Sequence, residues 1–228
     1  MDYPKEELKI RGLAYERRWD WENGYHWFAE SSRFGKFLAH YELYKKIVGL
    51  PGDLCEFGVF KATSLIRFSI FREMLENEQA RSIRGFDAFG SFPREGIELE
   101  ADQAFINGFE NSAGDGLSIE EVEAILEQKG IGNVDLRKGN VFDTVPQLIK
   151  ELPALRIAFL HLDMDVREPT QFVLDQLFAR VVPGGLVVFD DYGTVAGCSE
   201  VVDKFVSDHG LTLQKLPFYK VPAFCVKP

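Results

Sequence analysis

Three aspartates stand where the strands of a parallel sheet would deliver them to one place. Asp163 closes the apolar run 157–163, and Asp190 and Asp191 close the run 186–191. Each run reads as a buried strand with acid only at its C-terminal end, and open α/β sheets bind ligands outside those carboxyl ends. Hard oxygen donors gathered there suit Mg, Ca or Mn better than Zn, and no His/Cys cluster in the sequence offers a zinc site. Asp165 follows Asp163 by two residues and shares its face only if the strand runs through both. Two close carboxylates can divide the work, one binding a cation and the other taking a proton. The competing reading of Asp165 is a helix cap or a solvated loop acid. His161 reads as a satisfied strand histidine rather than a ligand.

A second group of residues could hold a nucleoside. The run Asp53-Leu-Cys-Glu-Phe-Gly-Val59 reads as a strand and its turn, with Glu56 and Gly58 at the end. A glycine there lets a ligand approach the backbone closely. A dinucleotide fingerprint needs three glycines to admit a pyrophosphate. Only Gly58 is present, so the turn suits a nucleoside cofactor without a diphosphate. The alternative is a plain tight turn with Glu56 in solvent. Asp87 ends the next strand-like run, one βαβ unit further on, where an acid can accept both ribose hydroxyls.

Strands alternating with helices must position these residues. Apolar spacing predicts strands at 54–59, 82–87, 134–138, 156–163 and 185–190. Helices are expected over 62–76, 118–129, 144–151, 170–180 and 199–209, with Ser118 and Glu121 forming a capping box. The final runs 211–216 and 223–227, separated by Pro217 and Pro222, have a short connection and predict an antiparallel hairpin. Residues 88–117 read as a long excursion. Residues 1–48 differ in texture, holding all three tryptophans and a helical pattern over 32–48. They read as a helical cap on a sheet face, a homo-oligomer contact or a lid.

Composition narrows the class. The chain has 228 residues, 46% hydrophobic and 27% charged, as expected of a soluble globular protein of one or two domains. A formal net charge of −10 argues against nucleic acid and anionic membrane partners and leaves a small molecule as the expected one. No apolar run approaches the roughly 20 residues of a membrane span, and no secretory signal is visible. Cys55, Cys198 and Cys225 form no CxxC pair and read as buried free thiols, which points to the cytoplasm.

With these residues in view, the chain resembles the S-adenosylmethionine-dependent O-methyltransferases of the macrocin O-methyltransferase type, which use Mg and methylate sugar hydroxyls in natural-product biosynthesis. The resemblance rests on five motifs in order: 52–59, 85–89, 139–146, 162–170, and Pro183-Gly-Gly185 with Asp190-Asp-Tyr192. It implies a Rossmann-like class I methyltransferase fold, α/β, with a seven-stranded mostly parallel sheet and an antiparallel C-terminal strand. Residues 1–48 would be a helical cap or lid, and 49–228 the cofactor-binding domain. Glu56, Gly58 and Ser64 would border the methionine end of the cofactor, beside Asp163. Asp87 would hold the ribose, and Asn140 would sit near the adenine. Asp163, Asp190 and Asp191 would bind Mg2+, with Asp165 as general base. N-methylation of an amino sugar, or a non-catalytic nucleotide-binding domain of the same fold, are the alternatives. Two positions depart from the family. Ala62 replaces the second glycine of its Gly-Val-x-x-Gly-x-Ser pattern, and Arg167 replaces the tyrosine of its Asp-x-Asp-x-Tyr pattern. That arginine is expected to meet an anionic substrate or to pair with Asp165 or Glu168.

Overall fold

The apolar run 157–162 is buried along its whole length and forms the middle strand of a seven-stranded sheet. A strand enclosed on both faces needs helices on both sides. The computed structural model describes residues 8–228 and supplies them. The described chain opens with a small hairpin, β1 (Lys9–Ile10) and β2 (Leu13–Ala14), then α1 (Arg18–Phe28) and α2 (Ser31–Ile47). Alternating units follow: β3 (Asp53–Phe57), α3 (Thr63–Leu75), β4 (Ile83–Asp87), α4 (Glu100–Ala113), α5 (Ile119–Lys129) and β5 (Val134–Lys138). The second half holds α6 (Val141–Glu151), β6 (Ile157–Leu162), α7 (Arg167–Leu177), β7 (Val181–Phe189) and α8 (Ala196–Asp208). The hairpin β8 (Gln214–Leu216) and β9 (Tyr219–Val226) ends the chain.

The strand order is β5-β4-β3-β6-β7-β9-β8. All pairings are parallel except those of β9, which runs antiparallel to β7 and β8. The chain winds outward in one direction from β3 and in the other from β6. Their carboxyl ends therefore flank the topological switch point, where open α/β sheets bind ligands.

Each face of the sheet carries its own core. Val145, Leu148, Val173, Leu177, Val202 and Phe205 of α6, α7 and α8 cover one face. Leu43, Tyr44, Leu65, Phe68 and Val122 of α2, α3 and α5 cover the other. Residues 31–47 thus pack as a sheet-covering helix, whereas α1 buries no residue and leaves Trp19, Trp27 and Phe28 exposed. At the amino ends of the strands, Arg81 donates to Glu76, Gly52 O and Ile47 O, and the Tyr44 hydroxyl donates to Glu76 at 2.7 Å. Arg72, fully buried, donates to the carbonyls of Arg81, Gly132 and Asn133.

The structure corrects the element map in several places, among them the starts of β7 at Val181, α8 at Ala196 and β8 at Gln214. The excursion at 88–117 contains the 14-residue helix α4. Its Asp102 is fully buried, and Oδ2 accepts the Arg167 N–H at 2.8 Å. That carboxylate caps α7 from a distant part of the chain, which local pattern cannot reveal. Helix α6 begins at Val141 because Asn140 caps it, accepting the Phe142 N–H. Helix α7 begins at Arg167 rather than 170. Pro222 lies inside β9 rather than between strands. The three cysteines are free and buried, and burial pushes their thiols upward.

Candidate active site at the carboxyl end of the sheet

The turn after β3 is pressed against the end of β6. Gly58 has φ +92°, and a Cβ there would stand 1.8 Å from the carbonyl oxygen of Asp163. Only glycine fits, on both conformational and steric grounds. Asp163 in turn donates its N–H to Phe57 O at 2.8 Å. Four non-glycine residues at this end also have positive φ: Phe60 (+49°), Ala62 (+56°), Phe89 (+50°) and Asp165 (+65°). The αL conformation costs an L-residue roughly 1–2 kcal/mol, so Ala62 carries strain at the family's glycine position. The Asp87 carboxylate holds the turn by accepting the N–H groups of Val59 (2.8 Å), Phe60 (2.9 Å) and Phe89 (2.6 Å). A carboxylate has about four acceptor sites, so Asp87 keeps room for about one more donor.

These turns enclose a cavity of about 430 Å³. Gly58, Ser64, Asp87, Asn140, Asp163 and Asp165 all line it, between aromatic walls that include Phe60, Phe92 and Phe142. Glu56 does not. It is fully buried behind the wall, with its Oε1 3.4 Å from His161 Nδ1. Both the cofactor-bordering role and the solvent-facing alternative are therefore displaced, because the side chain of Glu56 points into the protein.

Asp163 links the cavity to a buried acid cluster: ligand oxygens of Asp163, Asp190 and Asp191 lie within 4.8 Å of one another. Strand β6 ends at Leu162, so Asp165 leaves the sheet and donates its N–H to Asp191 Oδ2 at 2.9 Å. Burial, then the charge of Asp190, pushes the Asp163 carboxyl up to about 8. Burial also raises Asp165 to about 6. Asp191 is held well above the ordinary range by burial and by the charges of Asp165, Asp163 and Asp190. Burial works to raise Asp190 too, yet the surrounding His161, His40 and Lys36 hold it well below. Buried oxygens of like charge, with hard donor character, fit a divalent cation of the Mg type on Asp163, Asp190 and Asp191.

Two residues of this site escaped the sequence. Lys36 of α2 places Nζ 2.5 Å from Asp190 Oδ2 and 3.8 Å from Asp163 Oδ2. Those carboxylates raise its pKa against the opposing effect of burial. His40, one turn further on, stands 3.7 Å from Asp190 Oδ1, as does His161 from the other side. His161 stands between two carboxylates, with Nδ1 3.4 Å from Glu56 Oε1, and against the effect of burial Asp190 and Glu56 raise its pKa to about 10, although neither ring nitrogen makes a hydrogen bond among the described residues. The only available signal was the helical spacing of 32–48, which places Lys36 and His40 on one face. Arg167 turns away from the cavity to Glu168 (3.1 Å) and Glu200 (3.8 Å), which settles its pairing in favour of Glu168 over Asp165.

A nucleoside-shaped turn at the switch point of this strand order defines the class I methyltransferase fold. Solved structures agree. NovP, an O-methyltransferase, superposes with a TM-score of 0.73 at 22% identity, covering 84% of this chain and 79% of its own. CalS11, a calicheamicin methyltransferase, gives 0.68 at 24% identity, covering 92% and 85%. Over residues 32–226 the sequence matches the macrocin-O-methyltransferase (TylF) family, and the chain belongs to it. Among curated relatives, a rhamnosyl-tetracenomycin-C 4'-O-methyltransferase of Streptomyces olivaceus is 30% identical over 168 residues, 72% of this chain and 61% of that protein. Mycinamicin III 3''-O-methyltransferase of Micromonospora griseorubida is 29% identical over 170 residues, 72% of this chain and 64% of that protein. The chain thus spans less than two thirds of the length of these relatives.

Proposed function

We propose that the protein transfers a methyl group from S-adenosylmethionine to a hydroxyl of a small molecule, with Mg2+ held by Asp163, Asp190 and Asp191. The observation carrying this reading is that Asp163 belongs both to the cavity beside the one-glycine turn and to the acid cluster with Asp190 and Asp191. S-adenosylmethionine supplies an electrophilic methyl on a sulfonium, and Mg2+ supplies Lewis acidity that makes a nearby hydroxyl easier to deprotonate.

The chain's own residues do the rest. Gly58 and Ser64 receive the methionine end, Asp87 offers its remaining acceptor capacity to the ribose, and Asn140 borders the base. Asp165, whose carboxyl is raised toward neutrality, takes the acceptor's hydroxyl proton on a carboxylate oxygen. The aromatic walls exclude water, and the rigid turns align donor and acceptor, which is the main source of rate in such displacements. Arg33 and Arg67 line the same cavity in a chain of net charge −10. They favour an acceptor bearing negative charge. One relative acts on a rhamnosyl-tetracenomycin, and CalS11 is described as a TDP-rhamnose 3'-O-methyltransferase. A nucleotide-linked deoxysugar is accordingly the first acceptor to test.

Calorimetry with S-adenosylmethionine, paired with turnover of Asp190→Asn with and without Mg2+, tests the proposal. The variant is expected to bind the cofactor nearly as wild type and to lose Mg-stimulated turnover. Metal-independent activity, or unchanged turnover in the variant, would sink the metal role.

A further inference from the structure

Beneath the cavity lies a second polar cluster, of which the proposed reaction uses only Asp190. Four side chains there hold seven buried polar atoms that make no hydrogen bond among the described residues and meet one another only at ion-pair distances of 3.4–3.7 Å: both ring nitrogens of His40 and of His161, both carboxylate oxygens of Glu56, and Asp190 Oδ1. His40, His161 and Glu56 are fully inaccessible. Buried polar groups are nearly always partnered, so so many orphans in one place call for an occupant.

The geometry points to what it is. Each imidazole Nε2 stands 3.7 Å from Asp190 Oδ1, and one ligand atom from each of the three residues lies within 4.8 Å of the other two. Donors about 2.0–2.1 Å from a tetrahedral ion stand roughly 3.3–3.4 Å apart, so the carboxylate oxygen needs to move by a few tenths of an ångström toward each nitrogen, and the two nitrogens, within 4.8 Å of each other, by up to about an ångström and a half. The other nitrogen of His161 faces Glu56 at 3.4 Å. A carboxylate behind a histidine is the arrangement that orients a metal-bound imidazole. Oδ1 of Asp190 faces the histidines and Oδ2 faces Lys36, so the carboxylate bridges this set and the acid cluster.

We propose that His40, His161 and Asp190 form a second cation site that takes a borderline divalent ion of the Zn2+ class, with Glu56 orienting His161. Two nitrogens and one oxygen select such an ion, whereas the all-oxygen set of Asp163, Asp190 and Asp191 selects Mg2+. His40 comes from α2, His161 from β6, and Asp190 follows β7. The ion therefore pins the N-terminal helix to the sheet and fixes the carboxylate that both sites share. The inference does not depend on methyl transfer.

Zn2+ titration by calorimetry in saturating Mg2+, and Co2+ titration followed by visible absorption, test it on the full chain. One equivalent of Zn2+ is expected to bind in the presence of Mg2+, with the intense bands of tetrahedral, nitrogen-ligated Co2+. Asp163→Asn keeps that signal, His40→Gln loses it, and Glu56→Gln weakens binding roughly 10- to 100-fold. Failure to bind Zn2+ in Mg2+ overturns the proposal and leaves water as the occupant. Loss of the cobalt bands in Asp163→Asn overturns it as well, by assigning the ion to the acids. If His40→Gln does not fold, wild type and Asp163→Asn decide alone through the presence or absence of those bands.

Discussion

The two ends of the central sheet hold buried charge in opposite ways. At the amino ends, Arg81 meets Glu76 at 2.6 Å and three backbone carbonyls besides, and Arg72 donates to three more. At the carboxyl ends, Asp163, Asp165, Asp190 and Asp191 crowd together with Lys36 as their nearest cation, above a set of unpartnered histidine and glutamate atoms. Opposite charges matched by hydrogen bonds stabilise a fold. Like charges left unmatched cost stability and persist where a ligand completes them. The same strands thus carry a structural end and a chemical end.

Substitutions can break this contrast on either side. Asp190→Asn is expected to have the largest effect, lowering Mg-stimulated turnover by about 1000-fold, or roughly 4 kcal/mol of transition-state stabilisation, and also to lower the melting temperature because Lys36 loses its buried partner. Gly58→Ala forces a Cβ into the Asp163 carbonyl and is expected to cost about 3 kcal/mol or more in denaturant unfolding, along with cofactor binding. Glu76→Gln strands Arg81 at the structural end. A loss of about 3 kcal/mol is expected, with turnover per folded molecule unchanged. A matching loss of turnover would merge the two ends into one functional unit.

Smaller effects sharpen the comparison. Asp191→Asn removes one of the crowded acids, whose carboxyl burial and its neighbours hold well above the ordinary range, and is expected to raise stability slightly while lowering turnover. Ala62→Gly relieves a positive φ and is expected to stabilise by about 0.5–1 kcal/mol. The structural end also sets a pH dependence. Arg81 and Tyr44 hold the Glu76 carboxyl below its ordinary value, against burial. A depressed carboxyl stabilises the fold above its unfolded value of about 4.3, and that stability is lost as pH falls through the folded value. Acid melts of wild type should fall more steeply below about pH 4.3 than those of Glu76→Gln.

Much of the fold was readable because its code is local. The run 157–162 is buried throughout, the runs 54–57 and 83–87 are mostly apolar apart from Glu56 and Arg84, and acids at the strand ends marked the site. Helix α4 was unreadable because the group that anchors it, Asp102, caps a helix more than sixty residues away. Gly58 and Asp87 declared themselves by residue type. Ala62 did not, since its sequence position reveals a departure but not the left-handed backbone it must adopt.

By itself the sequence determined the alternation of strands and helices, the strand-end acids and the single-glycine turn, because period, charge and backbone freedom are properties of neighbouring residues. The tertiary structure decided what those acids face. Lys36 and His40 come from a helix that precedes the sheet, and His161 meets them only because β6 lies between β3 and β7. Coulomb energies depend on distance in space, and chain position leaves that distance open until the helix packs.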